Sequence, residues 1–170
     1  MRDVLNILGF RHELEIVDLA TGAVVDRVVK HNRIPQGGID FLLQSPFGDV
    51  PPISTWYCGL FRNNFVPVAG TQASDLPSVM GEFVDYSEAN RPLFDRQYNS
   101  GTMDNFASKA VFTPTQDATV YGSFIVSNPT KGSNTGVLLS VARFSTVKPL
   151  SQGQEARLVC GLTYIPTNTV

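Results

Sequence analysis

The segment Ser108–Ser145, SKAVFTPTQDATVYGSFIVSNPTKGSNTGVLLSVARFS, restricts the fold more than any other part of the chain. Three apolar runs lie within it, Lys109–Thr113, Ala118–Ser127 and Gly136–Ser145, separated by two loops of Pro, Thr, Asp, Asn and Gly. Runs rich in Val, Phe, Tyr and Ile between such punctuation predict adjacent antiparallel strands. The connection Asn128–Gly136 (NPTKGSNTG) carries turn chemistry throughout, so it reads as an exposed link between strands and not as a helix.

The rest of the chain repeats this pattern. Phe10–Leu19 and Ala23–Lys30 predict a hairpin turning at Ala20-Thr21-Gly22. Phe10, His12, Leu14 and Ile16 alternate with Arg11, Glu13 and Glu15, as a half-buried strand requires. The pairs Val24-Val25 and Val28-Val29 break the alternation, which calls for a bulge or for burial on both faces. Gln36–Gln44 suits a short helix with Ile39, Leu42 and Leu43 on one side. Thr55–Arg62 is apolar on both faces, which predicts a central strand or one covered by a neighbouring subunit. A helical turn is expected within Ala73–Met80, capped by Ser74 or Asp75. A brief strand is expected at Glu82–Tyr86, a polar stretch turning at Asn99-Ser100-Gly101 follows, and Thr146–Gln154 reads as a loop. Glu155–Ile165 is the last strand, with Ala156, Leu158, Cys160, Leu162 and Tyr164 on one face.

Eight or nine short strands and two or three helical turns point to an all-β chain, an antiparallel β-sandwich or jelly-roll-like barrel. At 170 residues it is read as a single β-rich domain spanning residues 1–170, with a hairpin at 10–30. Residues 1–9 carry Val4, Leu5, Ile7 and Leu8 and read as an N-terminal arm, a first strand or a frayed end. Leu14, Ile16, Trp56, Phe112, Phe124, Val126, Leu138, Val141 and Leu158 are the expected core. With 42% hydrophobic and 16% charged residues the chain is not of a disordered composition.

Composition narrows the partners. A net charge of −2 lacks the basic footprint of a nucleic-acid binder or a polybasic membrane surface. No apolar run approaches the roughly 18 residues of a membrane-spanning helix, and the N-terminus lacks the apolar core of a signal peptide. Neither nucleic acid nor membrane is therefore expected as a partner, and synthesis in a cytoplasm is the simplest reading.

Chemistry is hard to place in this sequence. Two histidines, His12 and His31, have no metal-ligand spacing and read as surface or half-buried side chains. Cys58 and Cys160 sit in apolar runs and read as small buried hydrophobes, with their proximity across a core left open. There is no Gly-x-Ser-x-Gly elbow, and a thiol in apolar surroundings is not an activated nucleophile. Glu82, Asp85, Glu88 and Asp95 read as solvated or loop-bonded carboxylates, and Arg62 and Arg91 as loop-anchoring donors. Trp56 and Tyr57 are adjacent in a strand and point to opposite faces, which weakens a sugar-stacking platform. No catalytic residue, cofactor or metal is expected.

Four segments carry a resemblance: KHNRIPQGGIDFLL (Lys30–Leu43), STWYCGLF (Ser54–Phe61), VDYSEANRPLF (Val84–Phe94) and Asn105–Ser145. They are similar to small structural proteins of tailed bacteriophages, in the head-decoration or cement class. The resemblance implies a non-enzymatic β-rich module that binds across joints of the major capsid protein. It also implies self-association as a dimer or trimer. The expected location is the capsid surface of a virion assembled in the host bacterial cytoplasm. A tail, neck or baseplate component and a virion-displayed carbohydrate-binding sandwich are the alternatives. Val4, Leu5, Ile7 and Leu8, together with Lys131 and Asn134 of the Asn128–Gly136 loop, are the expected protein contacts.

Overall fold

The computed structural model describes residues 9–32 and 34–163. Among these, nine strands form two antiparallel sheets, accompanied by one α-helix and two 3-10 turns. The larger sheet contains β1 (Phe10–Asp18), β2 (Val24–His31), β4 (Gln97–Asn99), β5 (Thr102–Asp104), β6 (Ala110–Phe112) and β9 (Gln154–Thr163). Its order is β2-β1-β9-β5-β4, with β6 also pairing β9. The smaller sheet is β3 (Tyr57–Phe61), β7 (Ala118–Val126) and β8 (Leu138–Leu150), in the order β3-β7-β8. The all-β, sandwich-like architecture expected from the strand pattern is present.

The first hairpin follows its sequence closely. His12, Leu14 and Ile16 face inward and are buried. Ile16 opposes Asp26 and Val17 opposes Val24, so Val25 is the extra residue of a bulge, which accounts for the pair Val24-Val25; Val28-Val29 runs in regular register, with Val28 buried and Val29 exposed. Glu13 is buried although its strand phase points it outward, because Arg11 and Arg27 both close over its carboxylate.

The core divides in two. Leu14, Ile16, Phe112 and Leu158 from the larger sheet pack with Cys58, Leu60, Ile125 and Leu139 from the smaller one. The opposite face of the smaller sheet holds a second cluster of Phe61, Phe124, Val126, Leu138 and Val141, covered by Ala73, Leu76 and Met80. All nine residues expected in the core are buried, divided between these clusters. The two-sided apolarity of Tyr57–Phe61 is thus answered within the chain by clusters on both faces, although β3 is an edge strand of its sheet and not the central strand expected. The outer edge of β3 is closed by the same strategy, with the amide of Cys58 donating to Pro92 and that of Phe83 to Leu60.

Gly59 lies opposite Phe124, and Phe61 opposite Gly122. A Cβ on Gly59 would stand 2.0 Å from the Phe124 ring, and one on Gly122 would stand 2.3 Å from the Phe61 ring and 2.2 Å from the Ala142 carbonyl. Each ring therefore lies over a glycine of the neighbouring strand, a cross-strand pairing in which the aromatic covers the backbone that glycine exposes.

Several expectations are corrected. The three runs of Ser108–Ser145 do not form one sheet: β6 pairs β9 in the larger sheet, while only β7 and β8 are neighbours. The expected loop after Ser145 is instead the continuation of β8 to Leu150, with Pro149 opposite Thr119. Strand β8 is the edge of its sheet, where a proline's missing donor does not interrupt a ladder. Glu82–Tyr86 contributes only isolated bridges, at Glu82 and Tyr86, and the polar stretch around Ser100-Gly101 forms the small β4–β5 hairpin. The turn at Ala73–Asp75 is capped by Gln72, paired reciprocally with Asp75, and not by Ser74 or Asp75. The helix α1 (Gln36–Gln44) has the expected bounds but a different inner face. It docks through Gly38, Phe41 and Leu42, because a Cβ at Gly38 would stand 2.8 Å from the Leu139 carbonyl. Ile39 and Leu43 consequently face outward.

Candidate functional site

Among the described residues, two clusters of buried polar side chains are taken as candidates, one inside the sandwich and one beneath the Asn128–Gly136 loop. In the first, the imidazole of His12 is fully buried between Ser123 of β7 and Ser140 of β8. Its Nδ1 lies 2.7 Å from the Ser123 hydroxyl and its Nε2 2.6 Å from that of Ser140. The Asn32 amide donates to Ser140, and Asn32 Oδ1 accepts from the backbone of Phe10. Cys160 Sγ is 3.4 Å from His12 Nδ1. His12 was expected to be a surface or half-buried side chain; here it is fully buried and bridges both sheets. The alternation that put His12 beside Leu14 held the clue, but a lone His does not reveal the two serines that meet it.

This group is built to stay neutral. Burial lowers His12 to about 3, so the ring carries no charge near neutral pH. A neutral imidazole offers one donor and one acceptor, and two hydroxyls can serve both. Burial, and then the neighbouring Cys58 thiol, push Cys160 well above the usual thiol range. The two cysteines are free and close across the core. A protonated thiol beside an uncharged histidine is not an activated nucleophile. Among the described residues no group of three or more His, Cys, Asp and Glu side chains is arranged to hold a metal ion.

The second group anchors the loop. Arg91 and Glu82 form a bidentate pair, with Nε to Oε1 at 2.7 Å and Nη2 to Oε2 at 2.6 Å, and their side chains are 0% and 1% exposed. Arg91 also donates to the carbonyls of Asn128 and Ser133, each at 2.9 Å, while Glu82 accepts from the Gly132 amide. The Arg91 backbone amide donates to Pro129. The guanidinium–carboxylate pair thus grips the loop at three of its residues, and the Arg91 main chain holds a fourth. The rigid fork of arginine suits this role, since it binds a carboxylate in bidentate fashion and keeps donors for carbonyls. Arg91 was expected to anchor a loop, and it does. Glu82, read as solvated or loop-bonded, is loop-bonded through the Gly132 amide, but it is buried and is the counter-ion of Arg91.

Lys131 turns inward. Its ammonium donates to the carbonyls of Tyr86 at 2.7 Å and Val84 at 3.3 Å, and stands 3.9 Å from the centre of the Tyr86 ring. Asn134 is exposed, as are Thr130 and Thr135. Of the expected contacts, Lys131 therefore holds the loop and Asn134 lies on its outer surface. Val4, Leu5, Ile7 and Leu8 lie outside the described residues. Trp56 is buried in the core, so it offers no face for stacking a sugar.

No helix among the described residues is long and apolar enough to cross a membrane. No protein-family model matches the chain. No curated protein matches it either.

Proposed function

We propose that this chain is a non-enzymatic structural component of a tailed-phage virion, a cement or decoration protein on the outside of the head. Its partners are the major capsid protein, across whose joints it binds, and further copies of itself as a dimer or trimer. The sequence resemblance supplies the family. The observation that carries the reading is the Asn128–Gly136 loop, an exposed connection held from beneath by a fully buried ion pair. Such a loop is pre-organised, so docking it costs little conformational entropy. Weak contacts of this kind, repeated over a shell, add through multivalency. The buried histidine supports the same reading, since it is committed to holding the two sheets together.

The test is co-sedimentation of the purified chain with phage heads assembled without it. Binding to assembled heads and not to unassembled capsid protein is the expected result, with Asn134→Lys weakening it and leaving folding intact. Failure to bind heads, or binding to tails only, refutes the assignment.

A further inference from the structure

Strands β2 and β8 are edges of their sheets, and the gap between them differs at its two ends. Asp26, Val28 and Lys30 alternate on the inward face of β2, opposite Ile16, Leu14 and His12 of β1. At one end Lys148 of β8 reaches across to Asp26, with Nζ 2.8 Å from Oδ1, and Val28 beside it is buried. At the other end the two strands bring like charges together: Lys30 of β2 and Arg143 of β8 line a groove of about 540 Å³. His31 lines it too, and no Asp or Glu does. Among the described residues Lys30 forms no ion pair. Arg143 is held by a neutral partner, donating from Nε and Nη2 to Asn64 Oδ1 at 3.1 and 2.5 Å. Among the described residues, then, neither cation has a counter-ion.

The groove also suits a peptide. Val66 and Val68, 64% and 59% exposed, add an apolar wall. The main chain of residues 141–143, which lines the groove, pairs with β7 on one side and, among the described residues, with no strand on the other. Such an edge can accept an added strand through its main-chain groups. The volume falls within the roughly 300–1,000 Å³ of ligand pockets. The chain's own ends carry no matching charge: residues 1–8 hold one acid, Asp3, beside the basic Arg2, and residues 164–170 hold none.

We propose that this groove binds an extended acidic segment of another protein, with carboxylates on Lys30 and Arg143, its main chain along the edge of β8 and an aliphatic side chain against Val66 and Val68. Charge selects this occupant, since a basic or uncharged strand would leave both cations uncompensated. This assignment is independent of the virion role.

The experiment titrates the acetylated and amidated peptide Asp-Val-Asp-Val-Asp-Val into the full-length, nitrogen-15-labelled chain and follows the amide shifts. The expected result is saturable shifts concentrated at Lys30, His31, Val68, Val141 and Arg143 that weaken as salt is raised. The counterpart Lys-Val-Lys-Val-Lys-Val should cause none. Lys30→Glu should weaken binding about tenfold or more, and Lys30→Gln should weaken it less. Lys30 is exposed, so both variants should keep the parent spectrum away from the groove. No shifts at millimolar acidic peptide, or equal shifts with the lysine peptide, overturn the proposal. Sodium sulfate that reproduces the shifts at equal affinity shows an anion site only and overturns it too. An affinity unchanged by Lys30→Glu refutes recognition by charge. If that variant loses its amide dispersion through misfolding, Lys30→Gln and the two peptides on the parent chain still decide the question.

Discussion

Replacing Arg91 with methionine removes one guanidinium and four hydrogen bonds: two to Glu82 and one each to the carbonyls of Asn128 and Ser133. What remains is a carboxylate 1% exposed, with the Gly132 amide as its hydrogen-bond donor. Breaking a buried pair from one side costs about 3–5 kcal/mol, because the surviving charge is left without compensation. Taking a urea m-value of about 2 kcal/mol/M, the midpoint of Arg91→Met should fall by about 1.5–2.5 M with m unchanged. The double variant Arg91→Met/Glu82→Leu has no charge to strand and should recover most of the loss, since apolar replacement of a buried pair is often neutral. The carbonyls of Asn128 and Ser133 can turn to water in the double variant, so hydrogen exchange should be faster at Thr130–Thr135 even where global stability returns. Equilibrium urea unfolding of the four proteins in the cycle measures this directly. A loss below about 1 kcal/mol for Arg91→Met, or a double variant less stable than the single one, would refute the reasoning.

Three further outcomes follow from the same structure. Burial holds His12 at about 3 against an unfolded value near 6.5, so only the unfolded chain takes up this proton between those values. The stability due to neutral His12 is therefore complete above about pH 6.5 and declines by up to about 1.4 kcal/mol per pH unit as pH falls toward 3; His12→Gln should flatten that limb in urea titrations at stepped pH. Gly122→Ala should destabilise by at least the 1–3 kcal/mol typical of overpacking, and by more than Gly59→Ala, because its new methyl meets a backbone carbonyl as well as a ring; thermal melts give the order. The free edge of β2 is guarded at Arg27, whose amide donates to Asp26 Oδ1 while Lys148 pairs with Asp26, so Asp26→Ala should produce concentration-dependent association in sedimentation velocity that continues beyond the dimer or trimer of the parent chain.

Period-2 alternation made much of this fold readable. It identified the inward faces of β1 and β9, and apolar runs bounded by turn residues placed β1, β2, β7 and β9 within a residue or two. It failed where the deciding contact involves no hydrophobic side chain. The inner face of α1 is set by Gly38 lying against β8, and a glycine adds nothing to an apolar pattern. Which sheet β6 joins depends on the long-range partner β9, about which its three residues carry no information. At the loop, turn residues announced an exposed connection, but the clamp beneath it comes from Glu82 and Arg91, distant in sequence from Asn128–Gly136. The burial of Glu82 could be suspected only from the demand that a buried arginine be paired.

The central claim, a place on the head of a virion, is tested most directly by a particle reconstruction at side-chain resolution. The account predicts density for this sandwich over the joints of the major capsid protein, at a copy number comparable with that protein's, with the Asn128–Gly136 loop against the shell. Density confined to the tail or neck, or particles that lack the chain altogether, would contradict it.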